Sequence, residues 1–256
     1  MLEIKNIAKN FGGVQAVKGS SFVVQKNKIT ALIGPNGAGK TTLFDIISGF
    51  CIPDSGSIVL NGESLDACRP DERASKGVSR TFQQVRLFKY LTIYDHLALS
   101  QGNDDTRLFH TLLKDLKIKR LSFRGGSALG GKDYETYEKL LKDFGIERPL
   151  NTVVSELSYG QRKLLEIMMA IHRPHALLLL DEPVAGVNAV VQERIERSLL
   201  RLKEQGETML LIDHDMEFIR RISDHVIALD AGIVIAEGTP EEVLSDGRVV
   251  EAYLGE

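Results

Sequence analysis

The sequence predicts an α/β fold that opens with a small antiparallel β sheet and carries a helical segment inserted within it. Three observations carry this prediction. Ile29–Ile33, Ala176–Leu180 and Met209–Ile212 are short apolar runs that read as buried strands next to helical periodicity. The first 25 residues contain strand-like segments broken by glycine turns. From Arg86 to Leu157 the texture turns helical, with apolar spacing at Ile93–Leu99, Leu108–Leu121 and Tyr134–Phe144. We therefore expect one domain over residues 1–256, with residues 86–157 forming a helical subdomain inside it.

In chain order, Leu2–Ile7 alternates, Phe11-Gly12-Gly13 turns, and Val14–Val17 and Ser20–Gln25 read as two more short strands. Phe11 is a flat apolar partner for a base such as adenine, or equally an aromatic covering a sheet edge. The next stretch is Gly34, Pro35, Asn36, Gly37, Ala38, Gly39, Lys40, Thr41 and Thr42. It fits G-x-x-x-x-G-K-[ST] between an apolar strand and Leu43, Phe44, Ile46 and Ile47 at helical spacing, the context of a phosphate-binding loop. Loop N–H groups at a helix N-terminus would converge on phosphate oxygens. Lys40 is expected to neutralise the β- and γ-phosphates, and the Thr41 hydroxyl to ligate Mg²⁺.

Beyond the loop, Ser57–Leu60 reads as a strand, Ala67–Ala74 as a short helix and Val78–Phe82 as a strand ending at Gln83-Gln84. The glycine-rich stretch 125–131 links two helices, and Lys114, Lys117, Lys119 and Arg120 form a basic face that reads as solvated, with contact to anionic headgroups as the weaker alternative. Val191, Ile195, Leu199 and Leu202 mark one helix face. Val226–Leu229 and Ile233–Ala236 read as a hairpin, and short helices start at Pro240 and Arg248.

Composition bounds the function. Apolar residues make up 43% and charged residues 26%, with a net charge of −3, which argues against bulk nucleic-acid binding. Cys51 and Cys68 show no metal-type spacing and read as small buried thiols in a reduced cytosolic setting. No leader is visible, and the longest apolar run, Ala176–Leu180, falls far below the roughly 20 residues that span a bilayer. Any connection to a membrane is expected to go through a partner or a surface contact.

Several strand ends carry candidate chemistry. Leu177–Leu180 runs straight into Asp181-Glu182-Pro183. Ligands bind at the carboxyl ends of strands in open α/β sheets, so both acids should face the loop. Asp181 is the expected Mg²⁺ partner, and Glu182 is placed to polarise a water. Gln83 can hold a metal-bound water on its amide oxygen; Gln84 competes for that role. His214 follows another buried strand, where it reads as a γ-phosphate partner or as structural. Ser158 and Gly160, in Leu157-Ser158-Tyr159-Gly160-Gln161, offer a second anion site at a helix start, or a plain N-cap.

GPNGAGKT, Gln83, LSYGQ, LLLLDEP and His214 occur in the order and approximate spacing of ATP-binding cassette (ABC) ATPases, and the resemblance covers nearly the whole chain. It implies a P-loop NTPase with a RecA-like core, an antiparallel β subdomain and a helical subdomain. It implies ATP and Mg²⁺ as cofactors, and head-to-tail pairing with a second ABC ATPase, identical or a sister. In such a pair Ser158, Gly160 and Gln161 of one subunit close on ATP held by the other. It further implies that Phe11 stacks on adenine, that Glu182 is the catalytic base, that His214 is the switch histidine and that Gln83 links the metal to the helical subdomain. Tyr159 replaces the usual first glycine of LSGGQ, and Ala185-Gly186-Val187-Asn188 replaces Ser-Ala-Leu-Asp. Arg80-Thr81-Phe82-Gln83, Arg86-Leu87-Phe88, Leu91-Thr92-Ile93 and the terminal Ala-Tyr-Leu-Gly-Glu resemble the first ATPase of branched-chain amino-acid importers. The alternative is resemblance to the lipopolysaccharide-export ATPase, which shares the Ala-Gly-Val segment and the Tyr-Leu-Gly-Glu ending; Arg80-Thr81-Phe82 and LSYGQ favour the importer. Met168-Met169 departs from the Ala-Arg usual in these importers.

The resemblance implies an ATP-hydrolysing motor working through separate membrane permease subunits, supplied indirectly by a substrate-binding protein. A soluble ABC protein acting on ribosomes or DNA is the reading from a different class. Such proteins usually carry two cassettes or a coiled-coil insertion, and this chain has neither. A small-molecule kinase shares the loop but leaves LSYGQ and Asp181-Glu182-Pro183 unexplained.

Overall fold

The computed structural model describes residues 1–101 and 131–254. The expected helix at 108–121 with its basic residues, most of the 125–131 linker and the final Gly-Glu lie outside the described residues. These residues fall into two compact units: Met1–Arg86 together with the chain from Pro174 onward, and Leu87–Arg173. The helical unit thus includes the helix opened by LSYGQ, beyond the expected boundary at 157.

In the first unit, β1 (Leu2–Phe11) pairs antiparallel with β2 (Val14–Val24) and with β4 (Ser55–Leu60), and the short β5 (Glu63–Ser64) completes a sheet of order β2-β1-β4-β5. The two short strands expected at 14–25 are one strand. Ile7 pairs with Ser20 and Ala8 with Lys18, so Gly19, at φ +79°, is the extra residue of a bulge. The bulge absorbs the break in alternation and the ladder continues through it.

The second sheet has the order β10-β9-β3-β8-β7-β6. Its strands are β3 (Ile29–Ile33), β6 (Val78–Arg80), β7 (Leu177–Asp181), β8 (Met209–Ile212), β9 (His225–Asp230) and β10 (Ile233–Gly238). All neighbours are parallel except the β9–β10 hairpin. Every residue of β3, β7 and β8 is buried, Thr30 and Asp181 included, as expected of largely apolar strands in a covered parallel sheet. The order places β7 and β8 side by side next to β3, so the strand ends bearing Asp181, His214 and the glycine loop are neighbours.

Helix α1 (Lys40–Ser48) buries Leu43, Phe44, Ile46 and Ile47 in the common core. Helix α2 (Pro70–Ser75) starts later than expected because Pro70 occupies a first-turn position, where its missing N–H costs nothing. Cys51 and Cys68 are free and partly exposed, not buried.

The second unit contains α3 (Ile93–Ser100), α4 (Gly131–Asp143) and α5 (Tyr159–His172). Thr92 caps α3 in a reciprocal box with Asp95. Tyr137 packs edge-on to Tyr94 and to His172, with centroids 5.4 and 5.2 Å away. The remaining helices, α6 (Ala189–Glu204), α7 (Met216–Ile222), α8 (Pro240–Leu244) and α9 (Gly247–Leu254), belong to the first unit.

His96 is fully buried and pins the loop before α3. The Phe88 N–H donates to Nε2 at 3.0 Å, so the proton sits on Nδ1, which lies 2.8 Å from the Thr92 carbonyl. Burial pushes its pKa below 6.5, against the opposing pull of the Thr92 carbonyl. The unfolded chain therefore takes up the proton first as pH falls below 6.5, and stability is lost from there down to the folded pKa. Thermal melts from about pH 7.5 to about pH 5.5 should show a stability loss that is smaller in His96→Gln. An equal loss in both proteins would remove His96 as its source.

Candidate functional site

The glycine loop is held from behind by backbone. A Cβ on Gly34, at φ +149°, would lie 2.2 Å from the Leu229 carbonyl oxygen, and one on Gly39, at φ +100°, 2.4 Å from that of Ala16. Only glycine fits at either position. Gly232, in the β9–β10 turn, donates its N–H to the Ala38 carbonyl at 3.1 Å, while its own carbonyl accepts from the Lys18 N–H and the Ser20 hydroxyl, both at 2.8 Å. The Gly34 N–H donates to the Tyr253 hydroxyl at 2.6 Å.

Helix α1 begins with Gly39 at its N-cap, no capping side chain and no acid in its first turn. Its leading N–H groups thus receive no side-chain cap, an arrangement suited to an anion. Lys40 is 6% exposed, and its ammonium donates to the Gly34 and Pro35 carbonyls at 2.6 and 2.8 Å. The cation is thereby held across the loop it is expected to share with phosphate.

A pocket of about 420 Å³ opens on this loop, lined by Asn36 to Thr42, Ala16, Gln83, Glu182, Ile212 and His214. Four sequence-predicted groups from distant parts of the chain thus meet at one cavity. Glu182 sits at φ +48°, a left-handed conformation uncommon outside glycine, and its N–H is anchored to the Ile212 carbonyl at 2.8 Å. Its carboxylate receives the Gln83 amide nitrogen at 2.9 Å on one oxygen and lies 3.2 Å from His214 Nε2 on the other. Gln83, expected to face a metal through its amide oxygen, here uses its amide nitrogen on Glu182.

Asp181 is buried at the end of β7, one residue before Glu182. Its N–H donates to the Thr81 hydroxyl at 3.2 Å, and its carboxylate pairs with Arg80 at 3.2 Å. Asp181, Thr41 and Gln83 offer hard oxygen donors, a set that fits Mg²⁺. Phe11 lies 51% exposed at the end of β1, with Lys9 Nζ 5.4 Å from its ring centre, and does not line the pocket.

In the helical unit, Ser158 caps α5: its hydroxyl accepts from the Gln161 N–H at 3.2 Å, and the Gln161 side chain accepts from the Ser158 N–H at 3.0 Å. Gly160 is buried and Tyr159 exposed.

Sequence reasoning missed Asp213. One oxygen accepts the N–H groups of His214 and Asp215 at 2.8 and 3.0 Å, and the other that of Val184 at 3.3 Å. Burial raises its carboxyl pKa above the usual range, and the three N–H donors oppose that rise. It ties the Glu182 segment to the His214 segment. An acid directly after a buried strand, as at Asp181, was the available signal.

Comparison with known proteins decides the family. An ABC transporter family model matches residues 17–185, more than half of the chain. The chain belongs to the ABC transporter ATPase family. A second family model, described as branched-chain amino acid ATP-binding cassette transporter, matches residues 234–256. This ABC ATPase is 36% identical over its whole length to the high-affinity branched-chain amino acid transport ATP-binding protein BraF of Pseudomonas aeruginosa, covering 98% of it. It is 34% identical to the protein LivG of the same description from Escherichia coli, again covering 100% of the chain and 98% of the relative. Among solved structures it resembles a nucleotide-free ATP-binding cassette from an ABC transporter, with TM-score 0.83, 31% identity, and 100% and 99% coverage. It also resembles an ABC transporter cassette in its ADP conformation, with TM-score 0.81, 32% identity and the same coverage. The P-loop fold, ATPase class and nucleotide binding expected from the motifs therefore stand. Among the described residues, no helix of the ABC ATPase is long and apolar enough to cross a membrane.

Proposed function

We propose that this ABC ATPase is the ATP-hydrolysing motor of an importer of branched-chain or related hydrophobic amino acids, bound peripherally to membrane permease subunits on the cytoplasmic face. The observation that carries the motor reading is the single pocket at which the glycine loop, Gln83, Glu182 and His214 meet. The substrate class is supported by the names of the full-length relatives and by the match over residues 234–256.

In this reading, loop N–H groups and Lys40 bind the phosphates, and Phe11 stacks on adenine. Thr41, Asp181 and Gln83 would hold Mg²⁺, which when bound would supply positive charge beside the phosphate oxygens. Glu182 takes a proton from the attacking water, and His214 hydrogen-bonds the γ-phosphate. Ser158, Gly160 and Gln161 complete the site of a second cassette across a head-to-tail dimer.

The test is uptake of labelled leucine, isoleucine and valine by cells whose only copy of this chain is wild type or carries Glu182→Gln. Uptake should be lost in the variant, and the wild-type chain should co-purify with integral membrane proteins in mild detergent. Equal uptake by both strains would overturn the assignment.

A further inference from the structure

We propose that Arg80 is a positioning residue for the metal carboxylate, a clamp that fixes Asp181 against the phosphate-loop helix. The proposal rests on the reading of Asp181 as the Mg²⁺ ligand. Arg80 closes β6, and its side chain is 7% exposed. One guanidinium nitrogen donates to Asp45 Oδ1 and to the Ser48 hydroxyl, both at 2.7 Å, and the other to Asp181 Oδ2 at 3.2 Å. Asp45 and Ser48 lie on α1, the helix that Lys40 opens. One buried cation therefore joins the strand carrying the metal acid to the helix carrying Thr41.

Three rings lie around this cation. The guanidinium carbon lies 5.2 Å from the centre of Phe82, 5.7 Å from Phe44 and 5.9 Å from Phe50. A planar guanidinium packed on rings loses little freedom when it also pairs two carboxylates, which a lysine cannot reproduce. Thr81 acts beside it: its N–H donates to the Leu179 carbonyl at 2.9 Å while its hydroxyl accepts from the Asp181 N–H. Consecutive residues thus fix both the backbone and the carboxylate of Asp181. Holding one oxygen of Asp181 on Arg80 presents the carboxylate in a set orientation. It also offsets the charge of a buried acid, which is costly when unpaired.

The consequence is specific to the metal. Groups that orient a metal ligand from behind typically affect metal affinity about 10- to 100-fold. The loop contacts of Lys40 and the helix N–H groups are untouched by Arg80, so nucleotide binding without metal should not change.

The experiment measures the affinity of a fluorescent ATP analogue in EDTA and then across a Mg²⁺ titration, for wild type, Arg80→Met, Arg80→Lys, Asp45→Asn and Asp181→Asn. We expect Arg80→Met to raise the Mg²⁺ midpoint about 10- to 100-fold with affinity in EDTA unchanged, and the other two clamp variants to raise it less. Arg80→Met leaves two carboxylates without their cation, so if it does not fold, Arg80→Lys and partly exposed Asp45→Asn decide the matter. Unchanged Mg²⁺ midpoints in the folded clamp variants, with the dependence lost in Asp181→Asn, would overturn the role of Arg80 alone. Dependence retained in Asp181→Asn would overturn the metal-ligand reading beneath it.

Discussion

Glu182→Gln is expected to lower ATP turnover about 10²- to 10⁴-fold, the usual contribution of a positioned general base. The substitution keeps size and shape but removes the group that accepts the proton of water. In the structure this carboxylate is presented by a left-handed backbone, anchored to the Ile212 carbonyl, and faces the pocket between Gln83 and His214. None of these contacts involves the phosphate-binding loop, so nucleotide affinity should stay within about threefold of wild type, a loss confined to the chemical step. Phosphate release and equilibrium nucleotide binding, measured on the same preparation, separate the two effects. Normal turnover in the variant would remove Glu182 from the role of base.

Lys40→Ala should act on binding instead. A charge-assisted contact to phosphate is worth about 2–3 kcal/mol, so ATP affinity should fall roughly 30- to 150-fold. Lys40 already spans the loop through the Gly34 and Pro35 carbonyls, and its loss also leaves these acceptors without that donor. A thermal melt without nucleotide accompanies the titration for this reason. A folded variant with unchanged ATP affinity would mean that the loop does not hold phosphate through Lys40.

Much of the fold was legible because its strongest signals are local. Continuous apolar runs gave β3, β7 and β8 nearly to the residue, and the glycine-lysine loop fell between strand and helix as its pattern demands. Reading β2 as two strands failed at Gly19, because a bulge interrupts alternation without ending a ladder. What supports the site was not legible. Leu229 and Gly232 back the loop from nearly 200 residues away, and Arg80 joins Asp45 to Asp181. Such contacts follow from strand order, which periodicity does not report. Gln83 shows a finer limit: its place at the pocket was readable, while its choice of Glu182 as partner depends on side-chain geometry. Ser158 makes the cap contact that its position at a helix start allows, and in the proposed mechanism its second role is on the ATP of a partner cassette.

That second cassette is the most direct test of the motor mechanism. The measurement is the molar mass of Glu182→Gln in solution by light scattering, with and without ATP and Mg²⁺, alone and mixed with any ATPase that co-purifies on its membrane subunits. The account predicts a chain of 28.4 kDa without nucleotide and a cassette dimer with it, in at least one of the two mixtures. A chain that stays monomeric in both, while binding ATP, would contradict a site completed by Ser158, Gly160 and Gln161 of a partner.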